Sequence, residues 1–177
     1  MEERVILVNA FDEVVGFGEK MRTHAEGALH RAFSVFTFNA KNELLIQRRA
    51  ESKYHSGGLW SNTACGHPRP GELTEEAARR RLREEMGLEC GLERAFDFIY
   101  KVRFANGLCE HEFDHVFVGR FDGSPLPNPD EVCDWKWADL PTLRRDVSAS
   151  PRSYTHWFRL CLERTPMLLG AKSQEVS

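Results

Sequence analysis

Short apolar runs rich in β-favouring residues alternate with polar breaks along most of the chain, and only a few segments carry helical spacing. "RVILVN" (4–9) is a continuous apolar run that predicts a buried strand, and "FDEVVGFGEK" (11–20) predicts a turn and a short extended piece. "RAFSVFTFNAKNELLIQRRA" (31–50) holds two β-rich runs around "NAKNE", whose asparagines favour a turn, so it predicts a hairpin. "AFDFIYKVRF" (95–104) and "EHEFDHVFVGRF" (110–121) alternate as strands, "GSPLPNPDE" is a loop, and "VCDWKWADL" (132–140) predicts a strand leading into a turn. The period changes in "TEEAARRRLREEMGLE" (74–89), where Ala78, Leu82 and Met86 recur every four residues. Thr74 is its predicted N-cap, Glu75 and Glu76 fall in the first turn, and Gly87 marks the end. A short helix at 141–145 and a longer one at 153–163 complete the pattern. Mixed strands with a central and a C-terminal helix predict an α/β (α+β layered) domain. It is expected to be one domain over 1–177, with an ordered core over about residues 4–165 and a polar tail, "GAKSQEVS".

Composition changes this picture little. The 177 residues suffice for one ordinary core, and the formal net charge of −3 argues against a dedicated nucleic-acid or anionic-membrane binder. Five cysteines, Cys65, Cys90, Cys109, Cys133 and Cys161, form no CxxC pair, so a disulfide framework is not expected and a reducing cytoplasm is the simplest setting. No stretch has the length and apolarity of a membrane span. A monomer or weak homodimer acting on a small molecule is expected.

The stretch "SNTACGHPRPGE" (61–72) sets a thiol and an imidazole one residue apart, which by itself fits a metal site, a nucleophile or an ordinary loop. The helix beyond it carries a more specific signal. Gly66, five residues, Glu72, seven residues, then "RRLREEMGL" resembles a Nudix box, with Gly66, Glu72, Arg80, Leu82, Glu84, Glu85, Gly87 and Leu88 all in place. A loop and helix of this kind collect carboxylates for a divalent ion, which neutralises a diphosphate. Arg81 departs from the pattern, standing where it has Glu. The exchange removes one metal ligand, adds a diphosphate-binding cation and argues against ordinary Nudix hydrolysis.

"HRAFSVFTFN", "LLIQRRAESK", "GLWSNTACGHP" and "CEHEFDHVF", in this order, resemble type I isopentenyl-diphosphate isomerases of the Nudix superfamily, from about Val5 to about Leu162. The resemblance implies a Nudix-like fold and interconversion of isopentenyl and dimethylallyl diphosphate. It assigns His24, His30, His67, Glu110 and Glu112 as metal ligands. Glu110 and Glu112 stand two apart on a predicted strand and leave one face, while His111 points away. Three imidazoles and two carboxylates suit Mn²⁺, Zn²⁺ or Mg²⁺, with Mg²⁺ alone the less natural choice. A second ion, Mg²⁺, is expected with the diphosphate, on Glu85 and the Cys65 carbonyl.

The same resemblance makes Glu112 the candidate acid, Tyr100 its orienting partner, Cys65 the other proton carrier in a partly thiolate form, and Trp157 the aromatic face over a carbocation. Trp60 is a second candidate for the pocket wall. Lys20, Arg49, Lys53 and Arg81 match the diphosphate-binding positions; Arg48 and Arg49 are strand neighbours, so only one reaches the site, and the resemblance selects Arg49. The terminal segments are expected to close over the substrate, and the two glycines of "YHSGG" (54–58) predict a mobile, peripheral loop. Two alternatives stay open at this point: a Nudix pyrophosphohydrolase and a non-catalytic diphosphate-binding module.

Overall fold

Two strands that share a turn and then part company organise the whole structure, a computed structural model that describes residues 3–170. β3 (His30–Phe38) and β4 (Leu44–Arg49) are joined by the predicted Asn-rich turn. Asn39 accepts from the Lys41 and Glu43 amides, and Asn42 takes a left-handed φ of 61°. The hairpin is brief: β3 and β4 pair only at Phe38 and Leu44.

Beyond that pair, β3 runs antiparallel to β6 (Ala64–Gly66) and parallel to β8 (Cys109–Arg120), which in turn pairs with β7 (Leu92–Arg103). β4 pairs with β5 (Trp60–Ser61) and β9 (Val132–Ala138). β1 (Arg4–Val8) and β2 (Val14–Glu19) add an edge beside the start of β3. The result is one mixed, curled sheet of nine strands with helices on both flanks, a single α+β domain.

Alternation along β3 and β4 explains the two cores. Phe33, Val35 and Leu45 pack against Ala77, Ala78, Leu82 and Met86 of α2 (Thr74–Met86). Phe36, Phe38, Leu44 and Ile46 leave the other face and pack against Trp157, Phe158, Cys161 and Leu162 of α4 (His156–Glu163). With both faces covered, β3 has no solvent side, which is why its sequence reads as a nearly continuous apolar run.

Several predicted boundaries shift. Thr74 is the first helical residue of α2 and not its cap; Leu73 takes the cap position, its carbonyl accepting from the Ala77 amide at 3.0 Å. The predicted helix over 153–163 divides. Pro151–Ser153 form a 3₁₀ turn, Tyr154 is extended and bridges to Trp60, and α4 begins only at His156. The helix predicted at 141–145 is longer, α3 (Leu140–Ala149), capped by the Asp139 carboxylate on the Thr142 amide at 2.9 Å.

α1 (Lys20–Glu26) and α5 (Thr165–Gly170) were not legible from the sequence. α1 is seven residues long and capped by Glu19, whose two oxygens take the Met21 and Arg22 amides. That is too short for an apolar period, and Glu lies outside the usual capping set. Residues 171–177 of the polar tail lie outside the described residues.

Candidate active site

Strand register gathers the site. Glu112 on β8 stands directly beside His30 on β3 and directly across from Tyr100 on β7. Ser34, four residues after His30, pairs with Cys65 on β6. Residues opposite one another, and those two apart on one strand, share a face. One row and its neighbour therefore bring Tyr100, Glu112, Glu110, His30, Ser34, Cys65 and His67 to one side of the sheet. α1 adds His24, and α4 adds Trp157.

His24, His30, His67, Glu110 and Glu112 are all buried, and one ligand atom from each lies within 4.8 Å of all the others. The imidazoles are set for ligation by their second nitrogens. His24 Nδ1 lies 2.6 Å from the Lys20 carbonyl and His30 Nδ1 lies 2.9 Å from the Ala28 carbonyl. A carbonyl only accepts, so both rings carry a proton on Nδ1 and present Nε2 to the cluster, the nitrogen a metal would take. His30 Nε2 lies 3.2 Å from His67 Nε2, which lies 2.9 Å from a Glu112 oxygen. His24 Nε2 and Glu110 Oε2 are buried 3.2 Å apart, without a well-aligned hydrogen-bond partner. Inward ring nitrogens and carboxylate oxygens crowded together, with polar atoms poorly satisfied among them, fit a divalent metal.

Charge within the cluster is divided. Burial pushes Glu110 up, but His24 and His55 outweigh it and hold the carboxyl well below the usual range. Glu112 goes the other way: burial first, then the charges of Glu110 and Asp114, lift it well above the usual range. Burial carries His30 down to about 4 against the pull of Glu110. Of this pair of carboxyls, Glu112 is the one pushed towards its protonated form, and the Tyr100 hydroxyl donates to its Oε2 at 2.6 Å.

Cys65 differs from the expectation of a partly populated thiolate. Burial drives its thiol up to about 12, Glu85 adds to this, and the Arg49 guanidinium, 3.8 Å from the sulfur, opposes it incompletely. These surroundings favour the protonated thiol over the thiolate. Arg49 is buried, lies 5.3 Å over the Trp157 ring and donates to the His55 carbonyl. Arg48, on the opposite face, bonds the Gly58 carbonyl instead. Trp60 pairs with Arg48 and so shares its face; its ring packs under Lys136 and does not line the cavity.

The cavity at this site is partly enclosed and partly open to solvent. Its cationic side holds Lys20, Arg49, Lys53 and Arg81. Lys20 pairs with Glu3 at 3.0 Å and lies 5.0 Å over the Tyr54 ring. Arg81 spans Glu84 at 2.9 Å, Glu85 at 2.9 Å and Glu131 at 3.0 Å, and Lys53 also bonds Glu131. Gly66 leaves room for the Arg81 stem: a Cβ there would come within 3.3 Å of Arg81 Cγ.

Several site residues were missed from the sequence. Tyr54 and His55, in the segment expected to be loose and peripheral, line the cavity, and His55 Nε2 lies 2.6 Å from Glu110. The glycines after them serve packing rather than slack, since a Cβ on Gly57 would meet the Glu51 carbonyl at 2.6 Å. Asp114 accepts from Ser34 at 2.8 Å; the period of two through Glu110 and Glu112 carries the acidic face on to it. Gln47 on Glu85, and Glu131, had no local signal.

A NUDIX domain pattern matches residues 28–158. Over 164 residues the chain is 58% identical to isopentenyl-diphosphate Delta-isomerase 2 of Aromatoleum aromaticum, covering 93% of this chain and 87% of that relative. The isopentenyl-diphosphate Delta-isomerase of Burkholderia multivorans is 54% identical, covering 93% of both chains. The chain belongs to the isopentenyl-diphosphate Delta-isomerase family. A crystal structure of DR0079 from Deinococcus radiodurans matches with a TM-score of 0.77 at 27% identity, covering 92% of this chain and 98% of that one. In this member of the isopentenyl-diphosphate Delta-isomerase family, the Nudix-box carboxylates Glu84 and Glu85 are both tied to Arg81. Among the described residues no helix is long and apolar enough to cross a membrane.

Proposed function

We propose that the chain interconverts isopentenyl and dimethylallyl diphosphate, with one proton added at the terminal carbon of the double bond and another removed beyond its tertiary carbon. One observation carries this reading: the Tyr100–Glu112 hydrogen bond lies at a cavity also lined by Cys65 and Trp157 and flanked by cations. Glu112, in its protonated form, gives its proton to the terminal CH₂ carbon of isopentenyl diphosphate. Positive charge then resides on the tertiary carbon. Cys65, as thiolate, takes a proton from the CH₂ next to that carbon, and the freed C–H pair becomes the new double bond. The product has gained and lost one proton, and the two groups exchange roles in the reverse direction.

The thiolate is the scarce form at rest, and Arg49 beside the sulfur is the cation that favours it. Trp157 offers a π face, worth about 2 kcal/mol to a desolvated cation. Its Nε1–H donates to Asn62 at 3.1 Å, which fixes the ring. Lys20, Arg49, Lys53 and Arg81 bind the diphosphate, and closure around Glu3, Lys20 and Trp157 excludes water that would capture the carbocation.

His24, His30, His67, Glu110 and Glu112 would hold Mn²⁺, Zn²⁺ or Mg²⁺, with nitrogen ligands favouring Mn²⁺ or Zn²⁺. Glu85 and the Cys65 carbonyl would hold the Mg²⁺ that travels with the diphosphate. When bound, these ions draw charge from the Glu112 carboxyl and from the phosphate oxygens. The five cysteines are free, which supports a reducing setting such as the cytoplasm.

Incubation with isopentenyl diphosphate in heavy water tests the reading. Dimethylallyl diphosphate should form and carry deuterium, with Cys65→Ala and Glu112→Gln inactive. Free phosphate or diphosphate without isomer would make the chain a hydrolase; tight binding without turnover would make it a binding module.

A further inference from the structure

Glu131 precedes β9 in sequence and belongs to no motif, yet it holds two of the cavity's cations. Its carboxylate bonds Lys53 and lies 3.0 Å from the Arg81 guanidinium, which also pairs with Glu85 at 2.9 Å. The backbone pins it there: the Glu131 amide donates to Asn128 at 3.0 Å, and its carbonyl accepts from Ala50 at 2.9 Å. Lys53, Arg81, Glu85 and Glu131 therefore form a four-member group on the cavity wall whose formal charges cancel, with Glu84 reaching Arg81 at 2.9 Å from outside the lining.

Such a wall treats two forms of one ligand differently. A bare diphosphate must displace the Glu131 carboxylate from Lys53 and Arg81, then lie against two carboxylates. A diphosphate that arrives with a divalent cation gives Glu85 and Glu131 an opposite charge to face, while Lys53 and Arg81 turn to the phosphate oxygens. We infer that Glu131 is a specificity-determining residue: it occupies the anion seat between Lys53 and Arg81 and makes diphosphate binding conditional on a divalent cation. The inference rests on the proposed reading of this wall as the diphosphate subsite.

Calorimetric titration with inorganic pyrophosphate, with and without MgCl₂, tests it on the wild type, Glu131→Gln and Glu131→Asp. The wild type should bind the magnesium complex far more tightly than the bare anion. Glu131→Gln should bind bare pyrophosphate about tenfold more tightly than the wild type, and the advantage conferred by magnesium should shrink to match. Glu131→Asp, which keeps the charge, should keep most of that advantage. Melting curves on the same samples separate these effects from loss of fold. An unchanged magnesium advantage in Glu131→Gln, with or without lower stability, would reduce Glu131 to a structural brace. A loss confined to the magnesium complex would make it a metal ligand instead. Either result overturns the inference and leaves the diphosphate subsite standing, whereas failure of the wild type to bind magnesium pyrophosphate would remove the subsite itself.

Discussion

His55 Nε2 lies 2.6 Å from Glu110 Oε1, across 55 positions of sequence, and takes that oxygen away from the histidine cluster. Glu110 Oε2 is left facing His24 at 3.2 Å and His30 at 3.7 Å. His55 itself is stacked on Phe104, with ring centroids 4.5 Å apart. It thus orients Glu110 from behind, with one oxygen turned to the ligand side. His55→Phe should lower divalent-metal affinity by about 10- to 100-fold, the usual cost of losing such a support, while His55→Gln should lose less because its amide can still donate. Metal content after titration with a chelator reads both variants. Equal retention in His55→Phe and the wild type would remove the positioning role.

The Tyr100 hydroxyl donates to Glu112 at 2.6 Å. Tyr100→Phe should lower kcat by about 10²-fold and leave KM nearly unchanged, because the lost hydrogen bond orients a proton and does not hold the substrate. Steady-state kinetics with isopentenyl diphosphate decide this. A rise in KM at constant kcat would move Tyr100 from proton transfer to binding.

Gly87 ends α2 with φ at 60°, and a Cβ there would fall 2.3 Å from the Leu126 carbonyl oxygen. Gly71 has a φ of 83° with nothing within 4 Å of its missing Cβ. Gly87→Ala should therefore cost about 2–4 kcal/mol, against about 1 kcal/mol for Gly71→Ala, which has only the backbone conformation to oppose it. Urea denaturation of the two variants side by side measures the difference, and equal losses would contradict the packing role of Gly87.

Glu72 shows how the box helix is braced and how acid should loosen it. Its oxygens accept from Arg80 at 2.7 and 2.9 Å, and one accepts the Arg69 amide at 2.8 Å. The Arg80 hydrogen bonds lead in holding the carboxyl below its ordinary value of 4.5, against a smaller push from burial. A carboxyl depressed in the folded state stabilises the fold above its unfolded value, and that stability is lost as pH falls through the folded value. Glu72→Gln should thus be less stable than the wild type at pH 7, and the gap should close as pH drops below 4.5. Melting temperatures from pH 7 to pH 3 follow the gap; a constant difference would mean that Glu72 acts through shape alone.

The core side of α2 was legible because burial follows a period: Ala78, Leu82 and Met86, four apart, are all buried. The turn after Phe38 was equally legible, since asparagine supplies both a left-handed residue and a side-chain acceptor. Arg49 and Arg48 divide between the two faces of β4 as strand alternation requires. Where elements are short, as in α1, β5 and β6, no period has room to develop. The phases of neighbouring elements are then set by their partners, as when Trp60 turns to the face of Arg48 and leaves the cavity.

Local pattern was enough to read the layered α+β class, the box from Gly66 to Leu88 with its Arg81 exchange, and the set of side chains suited to metal and proton chemistry. These are matters of spacing, and spacing is local. Long-range strand pairing and packing were needed to show that β3 and β4 diverge after one pair, that Glu112 lies between His30 and Tyr100, and that His55 and Glu131 line the cavity. Burial and the Glu85 charge, which push the Cys65 thiol up, likewise come from chain segments far from it in sequence.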